Sequence, residues 1–145
     1  MINIQPHDND RRISDETCRR LVDSAVKVRE YAYAKYSGFK VGAALLCDDG
    51  RIYTGCNIEN SSYPATICAE RVAFSSAISE GERNFVAIAV VGGSDCAIGV
   101  TPCGICRQVM SEFCKGDFEV ITLSDDGKAH TVYTLSDLLP HAFDL

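Results

Sequence analysis

The sequence contains no apolar run approaching the roughly 20 residues that a membrane-spanning helix requires, so a transmembrane protein is not expected. Its first dozen residues, MINIQPHDNDRR, are polar and charged and lack the apolar stretch of a secretory signal. A cytoplasmic address is therefore expected. There is also no basic cluster. Lys and Arg number 14 against 20 Asp and Glu, and the net charge is −6. The basic residues are scattered apart from the pairs Arg11–Arg12 and Arg19–Arg20. Polyanions are bound by basic stripes, so nucleic acid is not an expected partner and a small neutral ligand suits the chain better. No internal repeat, low-complexity tract or linker interrupts the sequence. The expected organisation is a flexible lead-in over 1–13 and one domain over 14–145, long enough for a sizeable core.

Cysteine, in contrast, is abundant, with 8 in 145 residues. Without a sign of export a disulfide framework is not expected, and clustered cysteines point to metal binding or catalysis.

Periodicity predicts a helix from Ser14 or Asp15 to about Lys35, with Leu21, Val22, Ala25, Val28 and Ala32 on one face. Phe39–Cys47 and Arg51–Cys56 read as a hairpin around Asp48–Asp49–Gly50. A helix is predicted over 67–80, an apolar strand over 85–91, and a helix from near Pro102 to about Lys115. Strands over 118–123 and 131–133 and a last helical turn over 135–139 complete the chain. Strands separated by helices imply an α/β fold with some parallel pairing and helices on both faces. The expectation is a three-layer α-β-α sandwich around a mixed, largely five-stranded sheet.

Two predicted helix starts carry the chemistry. One holds Cys68–Ala69–Glu70, the other Pro102–Cys103–Gly104–Ile105–Cys106. Thr66 and Thr101 are candidate N-caps, with Pro102 at the first helical position. A helix N-terminus favours negative charge and biases nearby thiols toward the thiolate that binds metal. Cys68, Cys103 and Cys106 supply three sulfur donors. Three donors leave the fourth tetrahedral position of zinc open, which is the pattern of a catalytic site. Glu70 is the carboxylate placed to move protons. Cys18, Cys47, Cys56, Cys96 and Cys114 have no ligand spacing and are read as core or surface residues. His7, His130 and His141 are read as surface residues.

The joined motifs C-A-E-R and P-C-G-I-C, with Y-S-G-F-K-V-G-A-A-L-L and G-C-N-I-E-N before them and L-L-P near the end, resemble the cytidine deaminase family in its three-cysteine, homotetrameric branch. The zinc-deaminase pattern H-x-E…P-C-x-x-C, with Cys in place of His, is an established one. The resemblance implies the cytidine deaminase-like fold and zinc-dependent hydrolytic deamination of cytidine and deoxycytidine to uridine and deoxyuridine plus ammonia. It implies one zinc per subunit on Cys68, Cys103 and Cys106. Hydroxide on that zinc would attack C4, with Glu70 as proton shuttle to N3 and the leaving ammonia. Asn57 and Glu59 would hold the ribose, Phe39 would pack on the pyrimidine, and the Ala69 carbonyl would accept from the amino group. Ser61 and Tyr63 would reach a neighbouring subunit's site, and Phe143 would close the pocket, in a homotetramer. Three thiolates, a dication and a hydroxide leave two negative charges uncompensated, and a buried charge of that size is costly. Arg71 or Arg107 could hydrogen-bond the thiolates; the resemblance favours Arg71.

Overall fold

The computed structural model describes residues 13–145. The predicted lead-in, apart from Ile13, and His7 lie outside the described residues. Among these residues no helix is long and apolar enough to cross a membrane.

The elements run α1 (Asp15–Arg29), β1 (Lys40–Cys47), β2 (Ile52–Cys56), a 3-10 turn (Tyr63–Ala65), α2 (Ala69–Ser79), β3 (Phe85–Gly93), β4 (Ile98–Gly99), α3 (Gly104–Phe113), β5 (Glu119–Leu123), β6 (His130–Thr134) and α4 (Leu135–Leu138). The strand order is β2-β1-β3-β5-β6, with β4 attached to β3. The sheet is mixed, as expected. Its one parallel pair among these strands is β3–β5, joined by the crossover through α3.

Both faces of the sheet are covered, which is why β1 and β3 read as nearly continuous apolar runs. Side chains alternate between faces with period two. Ala43, Leu45, Ile88, Val90 and Val120 pack under α2 and α3 with Ala73, Phe74 and Met110. Ala44, Ala87, Ala89, Val91 and Ile121 face the other way, against Cys18, Leu21 and Ala25 of α1. The three-layer arrangement follows from that alternation.

Helix α1 stops at Arg29, short of the predicted Lys35. Ala32 continues the apolar period, but tertiary pairing takes over the backbone. Tyr33 N donates to Asn57 O at 2.9 Å and Tyr33 O accepts from Glu59 N at 2.8 Å. Those bonds to the segment after β2 replace the next helical turn. The two-residue strand β4 lies between the predicted strand over 85–91 and the helix near Pro102, where the sequence predicts no strand. His130 is also less exposed than predicted; its Nε2 lies 3.4 Å from Asp15 Oδ1 at the start of α1.

Two glycines let the helices sit directly on the sheet. A Cβ at Gly42 would meet Ala25 O at 2.0 Å, and one at Gly55 would meet Ala69 O at 2.4 Å and Ala73 N at 2.6 Å. Gly55 thus fixes how closely the first turn of α2 approaches β2. The obstructing atoms are backbone, so a side chain there must displace the helix. Gly55→Ala is expected to destabilise the fold by about 1–3 kcal/mol, the usual cost of overpacking. Thermal melts should show the loss, with Gly104→Ala as the comparison, because a Cβ at Gly104 meets nothing within 4 Å. Equal melting temperatures for the two variants would refute the close-packing account.

Candidate active site

The site forms where the start of β1, the end of β2 and the N-termini of α2 and α3 meet. Its cysteines occupy helix-start positions, though not as predicted. Cys68 and Cys103 are themselves the N-cap residues of α2 and α3, with extended backbone, and neither side chain caps its helix. Thr66 and Thr101 therefore have other duties. Thr66 Oγ1 accepts from Asn60 N at 3.2 Å, and Thr101 Oγ1 accepts from Arg107 Nη2 at 3.1 Å. Cysteine is a poor cap, so its appearance at two N-caps leaves both sulfurs uncommitted to the helix and free to converge. Cys106 follows at the third position of α3, in its first turn and almost wholly buried.

The three sulfur atoms lie within 4.8 Å of one another, and Cys68 Sγ is 3.9 Å from Cys103 Sγ. A tetrahedral metal with metal–sulfur bonds of about 2.3 Å requires sulfurs about 3.8 Å apart. The donor set fits such an ion. No fourth His, Cys, Asp or Glu joins this cluster among the described residues. A second grouping, Cys47, Asp49 and Glu82, is already occupied by a cation, since the Arg51 guanidinium pairs with both carboxylates.

The electrostatics agree with the geometry. The Cys68 thiol is pulled down to about 5, first by the hydrogen bond from Cys106 and then by Arg71 and Cys103. Cys106 is pushed up, because it donates to Cys68 and is buried. The cluster thus favours the thiolate at Cys68, and binding of a metal releases the protons that its ligands carry. Arg71 Nη2 reaches Cys68 Sγ at 3.7 Å and Thr66 O at 3.2 Å, and Arg71 Nε is buried without a hydrogen-bond partner among the described residues. Arg107 does different work. It donates to Pro102 O at 2.6 Å, Leu138 O at 2.6 Å and Thr101 Oγ1, tying the start of α3 to α4.

Glu70 is the second residue of α2, only 4% exposed. Burial, together with the Cys68 charge, raises its carboxyl from 4.5 to about 7. A carboxyl that gains and loses a proton near neutrality suits proton transfer.

A cavity of about 330 Å³ opens beside the sulfurs. Of the predicted residues, Phe39, Asn57, Glu59, Tyr63, Cys68, Glu70 and Cys103 line it. Cys106, Ala69 and Arg71 do not line it. Ser61 is exposed and Phe143 is 66% exposed; neither lines this chain's cavity. Sequence reading missed Ser37, Val41, Thr66, Val100 and Thr101 as lining residues. Ser37 and Val41 fall within the Y-S-G-F-K-V-G motif, and Thr66, Val100 and Thr101 lie within three residues of a cysteine of the cluster, but none of these residue types by itself marks a ligand contact.

Asn57 and Glu59 are already heavily engaged. Asn57 Oδ1 accepts from Val41 N at 2.8 Å and its Nδ2 donates to Phe39 O at 2.9 Å. One N–H and one lone pair remain for a ligand. The Glu59 carboxylate accepts from Tyr36 N at 2.7 Å, Ser37 N at 3.2 Å and the Ser37 hydroxyl. The Ser37 hydroxyl, then those two amides, hold Glu59 below its ordinary carboxyl range despite the opposing effect of burial.

The family model for the cytidine and deoxycytidylate deaminase zinc-binding region matches residues 15–122. The chain belongs to this family. Among its relatives, the cytidine deaminase of Sporosarcina psychrophila is 52% identical over 124 residues, covering 86% of this chain and 89% of the relative. The cytidine deaminase of Mycobacterium tuberculosis is 43% identical over 124 residues, covering 84% and 86%. Among solved structures, the cytidine deaminase of Burkholderia pseudomallei superposes with a TM-score of 0.78 at 47% identity, over 86% of this chain and 98% of that one. The Mycobacterium tuberculosis structure gives a TM-score of 0.76 at 39% identity, over 88% and 97%. These matches support the predicted α/β fold and identify zinc as the metal that the sulfur cluster suits.

Proposed function

We propose that this deaminase-family chain hydrolyses cytidine and deoxycytidine to the corresponding uridines and ammonia, with one zinc per subunit on Cys68, Cys103 and Cys106. The observation that carries the reading is an open three-sulfur cluster beside a buried, near-neutral carboxyl at the floor of a nucleoside-sized cavity. Zinc held there would supply an activated water, since such ions lower the pKa of bound water to about 7.

The chain's own residues then have the following roles. Glu70 would carry one proton of that water to ring N3, and the second, left on the oxygen added at C4, to the amino group as it departs as ammonia. The Ala69 carbonyl accepts from the amino group. Phe39 packs on the pyrimidine face. The remaining N–H of Asn57 and the remaining acceptor capacity of Glu59 hold the sugar. Arg71 compensates thiolate charge, as its contact with Cys68 supports. Mixing the protein with cytidine and following the ultraviolet change to uridine tests the activity. No change with zinc-loaded protein would reject the reading.

Arg71→Ala is expected to weaken zinc binding about 10–100-fold, the usual cost of removing an outer hydrogen-bond partner of a metal ligand, and to lower turnover with it. Zinc titration against a chromophoric chelator reads the effect. Unchanged affinity and turnover would remove Arg71 from the charge balance.

Assembly belongs to the same proposal. Homotetramer formation would bring Ser61 and Phe143 to neighbouring sites, and would place Tyr63, which lines this chain's own cavity, where two sites adjoin. Exposed Tyr31, Tyr33, Tyr36, Ile58 and Tyr63 support this, as large apolar surface grouped around one segment marks an interaction face. Light scattering after size exclusion gives the mass that decides it. A cytoplasmic location and a single domain over 14–145 complete the proposal.

A further inference from the structure

We propose that Ser37 is a positioning residue that couples the sugar-facing carboxylate Glu59 to the ring-facing Phe39, so that both halves of a nucleoside are read by one rigid unit. This inference rests on the nucleoside reading above. Its physical basis is the hydrogen-bond accounting of a single hydroxyl.

Ser37 Oγ donates its one proton to Glu59 Oε1 and accepts from Phe39 N at 3.0 Å. Its own backbone N–H donates to Glu59 Oε2 at 3.2 Å. Ser37 thus supplies two of the three donors that Glu59 receives, the third being Tyr36 N. Among the described residues no ion pair involves Glu59, so its orientation depends on these uncharged donors. Phe39 is held from both sides: Ser37 Oγ takes its N–H, and Asn57 Nδ2 takes its carbonyl. Between them Gly38 turns the chain at φ +67, a conformation that favours glycine. Ser37, Phe39, Asn57 and Glu59 all line the same cavity.

The accounting also defines what the unit reads. Oε2 accepts two N–H groups and has no lone pair left. Oε1 accepts one hydroxyl and keeps one lone pair. An ionised carboxylate accepts only, so that lone pair selects a ligand group that donates: a secondary hydroxyl of the sugar. With the Ser37 hydroxyl absent, Glu59 Oε1 loses its donor while Oε2 keeps its two amides, and the Phe39 amide loses its acceptor.

The test is steady-state kinetics of zinc-loaded wild type, Ser37→Ala and Ser37→Thr on cytidine and on 2′,3′-dideoxycytidine, which lacks both secondary hydroxyls. Ser37→Ala should raise KM for cytidine about tenfold, the scale of a lost hydrogen bond to a charged group, with kcat within about twofold. KM for the dideoxynucleoside should rise less than KM for cytidine, since only the Phe39 half of the unit acts on it, and Ser37→Thr should restore cytidine binding. In a Glu59→Gln background, Ser37→Ala should add little. Ser37→Cys, with a weaker donor, gives the same ordering of substrates if the alanine variant does not fold. An equal KM rise on both substrates, a fall in kcat alone, or no change would overturn the positioning role while leaving the deaminase reading intact. A wild type inactive on cytidine would overturn both.

Discussion

Glu70→Gln is expected to lower kcat for cytidine by about 10²–10⁴-fold, the span that a positioned acid–base group contributes, while zinc content stays at the wild-type level. The substitution keeps the size and shape of the side chain and removes only its ability to titrate. Glu70 lies two residues after Cys68 but is not part of the three-sulfur cluster, so the metal should remain. Stability should not suffer either. Glu70 is almost completely buried, and a neutral amide avoids the cost of keeping a carboxylate away from water. Zinc retained, an unchanged or raised melting temperature and lost turnover together isolate proton transfer from binding. KM should move little, since the group acts on protons that shift during the reaction. Turnover within tenfold of wild type would show that another group carries the proton.

The sequence was most readable where one physical rule acted alone. Strands β1 and β3 are buried on both faces, and their apolar runs marked them to within two residues. The clustering of Cys68, Cys103 and Cys106 was legible because spacing, helix-start position and residue type coincided. Long-range contacts defeated local reading. The end of α1 at Arg29 is set by backbone pairing of Tyr33 with residues 57 and 59, which no local pattern encodes. Arg29 itself is buried and donates to Gly93 O at 2.5 Å and Cys96 O at 3.2 Å, a clasp invisible before the chain folds. The capping threonines were misassigned for a different reason. Thr66 and Thr101 are better cap types than cysteine, so propensity favoured them; the structure instead places Cys68 and Cys103 at the N-cap positions, with no cap bond from either sulfur. Asn57 was read as a sugar ligand, and the structure also gives it a structural duty: it continues the edge of β1 through its side-chain amide.

That placement leads to an expected result in which two effects oppose each other. Cys103→Ser should stabilise α3 and yet abolish tight zinc binding. Cys103 is the N-cap of α3 and makes no side-chain cap bond. Serine is among the preferred N-cap residues, and its hydroxyl can accept from an amide of the first turn, worth about 0.5–2 kcal/mol relative to a residue that does not cap. Cys103 is exposed, so the exchange leaves little cavity behind. Metal binding falls for a separate reason. A neutral hydroxyl replaces one of only three thiolate donors, and the cluster has no further protein ligand to substitute among the described residues. The loss of affinity should exceed the 10–100-fold typical of outer-sphere changes. Melting curves with and without chelator separate the two effects. Wild type should lose stability when zinc is removed, since a ligand at 100 times its Kd contributes about 2.7 kcal/mol. Cys103→Ser should melt at one temperature in both conditions, at or above that of metal-free wild type. A variant that still gains stability from zinc to the wild-type extent would mean that Cys103 is not a ligand. A metal-free melting temperature well below that of metal-free wild type would mean that the sulfur has a packing role within the fold.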